Sequence, residues 1–220
     1  MHALEAHELY RFFHIGDDET AALRGISLHV SAGEMVAVVG PSGSGKSTLL
    51  SCITGLDEPD AGYVEVAGKR LTRRPEAERS RIRAASFGIF QQSGNLFGHL
   101  SVAQNLRLTM LMVGKPNEKR IGMLLESVDL LHRARALPAE LSGGEAARAA
   151  LAAALAADPP ILVADEPTAE VDRDTESRLI AHLEARRRAG LATLLATHSK
   201  ALALKADRII ALRDGRIDNE

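Results

Sequence analysis

The chain has 220 residues, of which 45% are hydrophobic and 25% charged, the balance of one soluble domain able to bury a proper core. Its formal net charge of -2 gives no sign of nucleic-acid binding, and its single cysteine, Cys52, excludes an internal disulfide or a cysteine-held metal cluster. The N-terminal residues lack the basic start and apolar run of a secretory signal, and no stretch of about 18 apolar residues occurs, so a role at a membrane requires a partner chain.

In chain order, residues 28–30 and 35–39 are apolar, β-leaning segments joined by a turn at Ala32-Gly33-Glu34. Residues 63–67 alternate between Val and polar positions and lie between turn signals. These segments read as the first hairpins of a mixed sheet. Residues 48–54 read as a helix ending near Gly55, and Cys52 on it as a small packed residue. Residues 87–90 form a short apolar strand ending at Gln91-Gln92. Residues 101–132 carry helical spacing of Leu, Met and Ile, interrupted at Gly114-Lys115-Pro116-Asn117. A second helical stretch, 142–157, stops at Pro159-Pro160. Then follow a buried strand at 161–164, a charged helix at 173–188, a buried strand at 191–196, a helix near 200–205 and a hairpin closing on Asp214-Gly215. Strands alternate with helices after residue 85, which predicts an α/β fold with a largely parallel sheet. The expected organisation is one domain over 1–220 with a helical subdomain at about 93–157.

Gly40-Pro41-Ser42-Gly43-Ser44-Gly45-Lys46-Ser47 follows a strand and opens a helix. This is the phosphate-loop pattern: glycines let backbone N–H groups converge on phosphate oxygens, and the helix start adds its positive end. Lys46 can reach the terminal phosphates, and the Ser47 hydroxyl can ligate Mg²⁺. Alone, the loop indicates a nucleoside triphosphate and no more.

The strand 161–164 runs into Asp165-Glu166. Ligands of open α/β sheets sit at the carboxyl ends of strands, which puts Asp165 near a metal and Glu166 near an attacking water. Asp165 would hold Mg²⁺ through water, and Glu166 would polarise the nucleophile, a role worth about 10² to 10⁴ in rate. Helix capping accounts for the two acids equally well until they are set beside the phosphate loop. His198 follows the strand 191–196, at the same end as Lys46 and Asp165, which raises a catalytic role above that of an ordinary packed histidine.

Leu141-Ser142-Gly143-Gly144-Glu145, just upstream of the acidic strand, closely resembles the signature of ABC ATPases, and the resemblance runs from about residue 3 to 217. It implies an ABC-type P-loop ATPase core with an N-terminal antiparallel β part. It also implies roles for further residues: Gln92 as the Q-loop glutamine and a metal ligand, Asp172 in Ala169-Glu170-Val171-Asp172 as the acid of the D-loop, and His198 in Thr197-His198 as the H-loop histidine. Phe13 aligns best with the aromatic that stacks on adenine, with Tyr10 and Phe12 as rivals. Gly40 to Thr48, with Ser142, Gly143, Gly144 and Glu145 from a second copy, would then hold ATP in a head-to-tail dimer. An integral membrane permease would be the partner and the cytoplasmic face of the membrane the location. Within the family, Gly33-Glu34-Met35, Leu56-Asp57, Gly114-Lys115 and Pro138-Ala139-Glu140 resemble the branch of lipoprotein-releasing, macrolide-exporting and cell-division ATPases. Ala147 and Ala153 stand where that branch carries Gln and Arg, and Glu170 is unusual in the D-loop. None of these touches Lys46, Asp165, Glu166 or His198, so an active enzyme is expected. A soluble or purely regulatory ABC protein is the alternative. The seven basic residues between Lys69 and Arg83 read as a solvated surface, and Arg186-Arg187-Arg188 as an exposed helix end.

Overall fold

The computed structural model describes residues 2–15, 18–91, 95–169 and 171–218. The chain begins with two 14-residue strands, β1 (His2–Ile15) and β2 (Asp18–Ser31), paired antiparallel. On the other side of β1 lies β4 (Ala61–Val66), which continues into β5 (Lys69–Arg70), closing a four-stranded sheet of order β2-β1-β4-β5. The second sheet has six strands in the order β10-β9-β3-β8-β7-β6. These are β3 (Met35–Val39), β6 (Phe87–Phe90), β7 (Ile161–Asp165), β8 (Ala192–Ala196), β9 (Arg208–Arg213) and β10 (Arg216–Asp218). Five run parallel, and β10 pairs antiparallel with β9.

The turn at 32–34 is therefore not a hairpin, contrary to the sequence expectation. It carries the chain from one sheet to the other, with Gly33 at φ 72° and Glu34 closing on Ser31 in both directions. The hairpin at Asp214-Gly215 forms as expected. Both turn residues have positive φ, 47° and 75°, and Arg213 pairs directly with Arg216, as a two-residue type I′ turn requires.

Helix α1 (Lys46–Thr54) lies between the two sheets. Its Leu49, Cys52 and Ile53 are fully buried against Leu4, Leu9 and Leu23 of the first sheet and Val36, Val163 and Leu194 of the second. Burial pushes the Cys52 thiol up to about 12, so it is an inert packed group.

On the opposite face of the parallel sheet, α5 (Gly143–Leu155) and α6 (Arg173–Arg188) pack against β7 and β8. Helix α5 has two apolar faces. Ala150, Leu151, Ala154 and Leu155 meet the sheet, while Ala149, Ala152, Ala153 and Ala156 meet α3 (Val102–Met112) and α4 (Glu118–Ser127). Two stripes at helical spacing on one helix explain its alanine content, because small side chains let α5 approach both neighbours closely. Ala153, where the related branch has Arg, is packed in this second core.

Of the two charged segments, the basic stretch before residue 84 is a surface as expected, and the helix end at 186–188 differs. Residues 76–86 form a further helix, α2 (Glu76–Ser86), in which Arg79 and Arg83 pair with Glu76, and Arg79 also with Glu58. The helix end at 186–188 is not simply exposed. Arg186 is buried and donates to the Pro159 carbonyl at 3.0 Å, with its pKa lowered by burial to about 10, and Arg187 pairs with Asp207 at 2.7 Å.

Candidate active site

Parallel register brings the ends of β3, β7 and β8 to one edge: Val38 lies beside Ala196, and Asp165 beside Ala196. The residues following those three ends, 40–47, 165–166 and 197–198, enclose one cleft of about 360 Å³. Ser42, Gly43, Gly45, Lys46, Ser47, Thr48, Asp165, Glu166 and His198 line it, with Phe13 and Ala22 contributed by the first sheet.

The loop 40–47 is held by backbone from two directions. A Cβ on Gly40 would stand 2.1 Å from the Leu212 carbonyl oxygen, and one on Gly45 2.4 Å from that of Ala22. Gly45 also has φ 100°, open to glycine at little cost. The Ser44 N–H donates to Pro41 and its carbonyl accepts from Gly215 of the closing hairpin. Lys46, the first residue of α1, is 6% exposed, and its Nζ donates to the carbonyls of Gly40 and Pro41 at 2.8 and 3.0 Å. The ammonium is thus already at the loop, with one donor left. Asp165 Oδ1 and Glu166 Oε1, both at the cleft, are buried with no hydrogen-bond partner. Buried polar atoms are almost always paired, so these two mark the cleft as a place for polar ligands.

Glu166 stands at φ 48°, left-handed for a residue with a side chain, held there by its N–H donating to Ala196 at 2.9 Å. One carboxylate oxygen accepts the main-chain N–H of His198 at 3.0 Å, and the other lies 3.1 Å from His198 Nε2, although off the hydrogen-bonding direction. The Glu166 side chain is 10% exposed and that of His198 57%, so the carboxylate is sheltered and the imidazole reaches into the open cleft. The next residue, Ser199, caps α7 (Lys200–Ala203) and donates to Glu176 at 2.9 Å, tying the histidine's loop to the first turn of α6.

The signature residues do not line this cleft. Ser142 caps α5, accepting the Glu145 N–H at 3.3 Å, while the Glu145 carboxylate accepts the Ser142 N–H at 2.8 Å and pairs with Arg133. This reciprocal cap holds Glu145 turned back on its own helix start. Gly143 is exposed, and the N–H groups of Gly143 and Gly144 open α5, where a helix leaves main-chain donors without an intrahelical partner. Asp172 caps α6, accepting from the N–H groups of Asp174 and Thr175 and from the Thr175 hydroxyl. Those bonds, led by the Thr175 N–H, hold its carboxyl below the usual range. Arg148 donates to the same Thr175 hydroxyl at 2.9 Å, so the signature helix and the D-loop helix share one polar junction. Gln92 and Glu170 lie outside the described residues.

Strand alternation separates the aromatic candidates. Tyr10 and Phe12 lie against each other with centroids 6.4 Å apart, and Tyr10 covers Gly25. Phe13 alone of the three lines the cleft, 39% exposed. Ala169, the first residue of the expected D-loop segment, also reaches the cleft, as does Ala22, which was not singled out from sequence because nothing in its type marks it.

The sequence matches the protein family described as ABC transporter over residues 23–169. The chain belongs to the ABC transporter ATP-binding family. It is similar to the lipoprotein-releasing system ATP-binding protein LolD 2 of Caulobacter vibrioides, 39% identical over 96% of this chain and 94% of that protein. It is 38% identical to the macrolide export ATP-binding/permease protein MacB of Chlorobium luteolum, over 97% of this chain and 32% of the larger one. Methionine import ATP-binding protein MetN of Brucella abortus matches at 39% over 92% of this chain and 56% of its own. The dimeric ATP-binding cassette MJ0796, solved after hydrolysis with ADP and Pi, superposes with a TM-score of 0.94 at 31% identity, covering 98% of this chain and 97% of that one. The chain is accordingly an ATPase of the ABC type. No helix among the described residues is long and apolar enough to cross a membrane.

Proposed function

We propose that two copies of this chain meet head to tail, that each cleft holds one ATP under the partner's signature loop, and that the cycle of closure and hydrolysis drives a separate integral membrane permease. The observation carrying this reading is that one chain has two complementary halves that do not meet. The cleft gathers Lys46, Ser47, Asp165, Glu166 and His198, while the Ser142-Gly143-Gly144 helix start, with its free first-turn donors, lies outside it. A dimeric relative captured with ADP and Pi supports the arrangement.

Within the cleft, Gly40 to Thr48 would cradle the phosphates, with Lys46 turning from the loop carbonyls toward the terminal ones. The donor set fits Mg²⁺: the Ser47 hydroxyl and the unpartnered Asp165 oxygen are both oxygen ligands at the cleft, and Gln92 is a third candidate. The ion would offset negative charge between the terminal phosphates. Glu166 orients a water in line with the γ-phosphorus and takes its proton as the new P–O bond forms and ADP leaves. The His198 N–H fixes one oxygen of Glu166, leaving the other for the water. The His198 imidazole, and Ser142, Gly143 and Gly144 from the second copy, donate to the γ-phosphoryl oxygens, so catalysis is mainly positioning and electrostatics. Phe13 stacks on the adenine. Glu145 and Asp172 serve the site indirectly, as caps of the helices that carry the signature and D-loops.

The motif set places the permease with the lipoprotein-releasing and macrolide-exporting type, whose cassettes are among the relatives. A solute importer is the second reading, favoured by the equal similarity of a methionine-import cassette. In either case the chain sits on the cytoplasmic face of the membrane through its permease. The test is ATP turnover and dimerisation of wild type against Glu166→Gln. The expected result is loss of turnover by about 10² to 10⁴ with an ATP-stabilised dimer. A variant that turns over normally, or a wild type that never hydrolyses ATP with its permease supplied, overturns the reading.

A further inference from the structure

Arg11 lies behind the wall of the nucleotide cleft, against Phe13, without lining the cleft itself. Its guanidinium carbon lies 4.8 Å from the centroid of the Phe13 ring, over one face. Two carboxylates hold it there. Nε and Nη2 donate to the two oxygens of Asp57 at 2.9 and 3.0 Å, a bidentate fork, and Nη1 donates to Asp60 at 3.2 Å. Asp60 is itself fixed to β1, since its carboxylate accepts the Phe12 N–H at 2.8 Å and its own N–H donates to the Tyr10 carbonyl at 2.9 Å. The guanidinium is therefore a plate clamped on three sides, with the Phe13 ring as its fourth neighbour. Such a support matters for a ring as open as that of Phe13. It sits near the end of a long hairpin, 39% exposed, beyond the buried part of β1. A ring free to turn about its first two side-chain torsions presents its face to the cleft only part of the time.

We propose that Arg11 is a positioning residue for nucleotide recognition: packed flat on the back of Phe13 and locked by Asp57 and Asp60, it fixes that ring so that its remaining face receives the adenine. The order of the stack is Arg11, Phe13, adenine. This rests on the reading that Phe13 stacks on the base. A lysine cannot substitute fully, because only the planar fork can bind Asp57 through two bonds and lie flat on a ring at once.

The prediction concerns the base, not the phosphates. Equilibrium binding of Mg-ATP and of inorganic tripolyphosphate, which lacks a base, is measured on purified wild type, R11A, R11K, F13A and the R11A/F13A double variant, with thermal melts alongside. F13A is expected to weaken ATP binding by about five- to a hundredfold. R11A should weaken it by about two- to tenfold, the size of one cation–π contact, and R11K by less. Tripolyphosphate affinity should stay as in wild type in every variant. In the F13A background, R11A should add nothing. Three results overturn the proposal. Equal loss of ATP and tripolyphosphate binding in R11A and R11K means that Arg11 only holds the hairpin in shape. Full additivity in the double variant means that the two side chains act independently. Wild-type ATP affinity in R11A, with F13A impaired, removes Arg11 while leaving the stacking role of Phe13 intact. Wild-type affinity in F13A removes the stacking reading itself, and this inference with it.

Discussion

The loops at 40–45 and 141–144 both lead through glycines into a helix N-terminus, yet the chain holds them in different ways. The first is immobilised by main chain. Carbonyls of Leu212 and Ala22 stand where side chains on Gly40 and Gly45 would be, and α1 begins without any side-chain cap, its first turn carrying a buried lysine. The second is finished by its own side chains. Ser142 and Glu145 cap α5 reciprocally, and a Cβ on Gly144 would meet only side-chain atoms, the nearest Asp172 Oδ2 at 3.5 Å. A loop enclosed by two sheets can bind a ligand within one subunit. A loop that is complete as a helix start, yet has an exposed glycine and free first-turn donors, is suited to bind something the chain itself does not bring.

The sharpest way to break this contrast is to add one methyl group to each loop. Gly45→Ala forces a side chain to within 2.4 Å of the Ala22 carbonyl at a φ of 100°. Overpacking and left-handed strain together cost about 2–5 kcal/mol. ATP binding should be lost, and the melting temperature should fall, as read by calorimetry. Gly144→Ala should behave oppositely. The added carbon falls at ordinary contact distance and in an unstrained backbone, so the melting temperature and the ATP affinity of a single subunit should match wild type. The methyl instead presses on the junction of Arg148, Asp172 and Thr175, and so shifts the helix start that is to meet the γ-phosphate held by the second copy. Turnover should drop by about 10- to 100-fold, within the range for disturbing one set of preorganised donors. If Gly144→Ala weakens binding in the monomer as Gly45→Ala does, the two loops belong to one site and the contrast is wrong.

The same contrast governs what could be read from sequence. The parallel sheet and its site were legible because buried strands are short apolar runs and the chemistry sits where they end. Residues 161–165 go straight from Ile to Asp, and the strand alone gives the position of the acid. In the first sheet, parts of β2 and β4 were legible, but β1 was not. Leu4, Ala6 and Leu9 would alternate cleanly, but Glu8 at φ 46° and the register shift between Ala6 and Leu9 break the period of two. The link at 32–34 looked like a hairpin because a tight turn between two apolar strands says nothing about which sheet each joins. The Arg11 clamp could not be read at all, since Asp57 and Asp60 lie 46 and 49 positions away and reach Arg11 only once β1 and β4 are paired. Helix α2 went unread because its surface is so charged that ion pairs replace the usual apolar stripe.

The smallest expected effect tests whether the signature loop is finished by charge. Glu145 accepts the Ser142 N–H and pairs with Arg133, and these contacts, the backbone bond first, hold its carboxyl below the usual glutamate value. A carboxylate depressed in the folded state contributes stability above its unfolded pKa and loses it as pH falls through the folded one. Wild type should therefore melt slightly above Glu145→Gln at neutral pH, because glutamine keeps an acceptor but no charge for Arg133 or the helix dipole. That gap should close as pH falls from the ordinary glutamate range through the lowered value of Glu145, and melting curves of the two proteins across that window measure it. ATP affinity of the single subunit should be the same in both, since the carboxylate faces its own helix start and not the cleft. A gap that persists unchanged in acid would mean that hydrogen bonding alone closes the cap. The helix start of the signature would then owe nothing to the charge of Glu145.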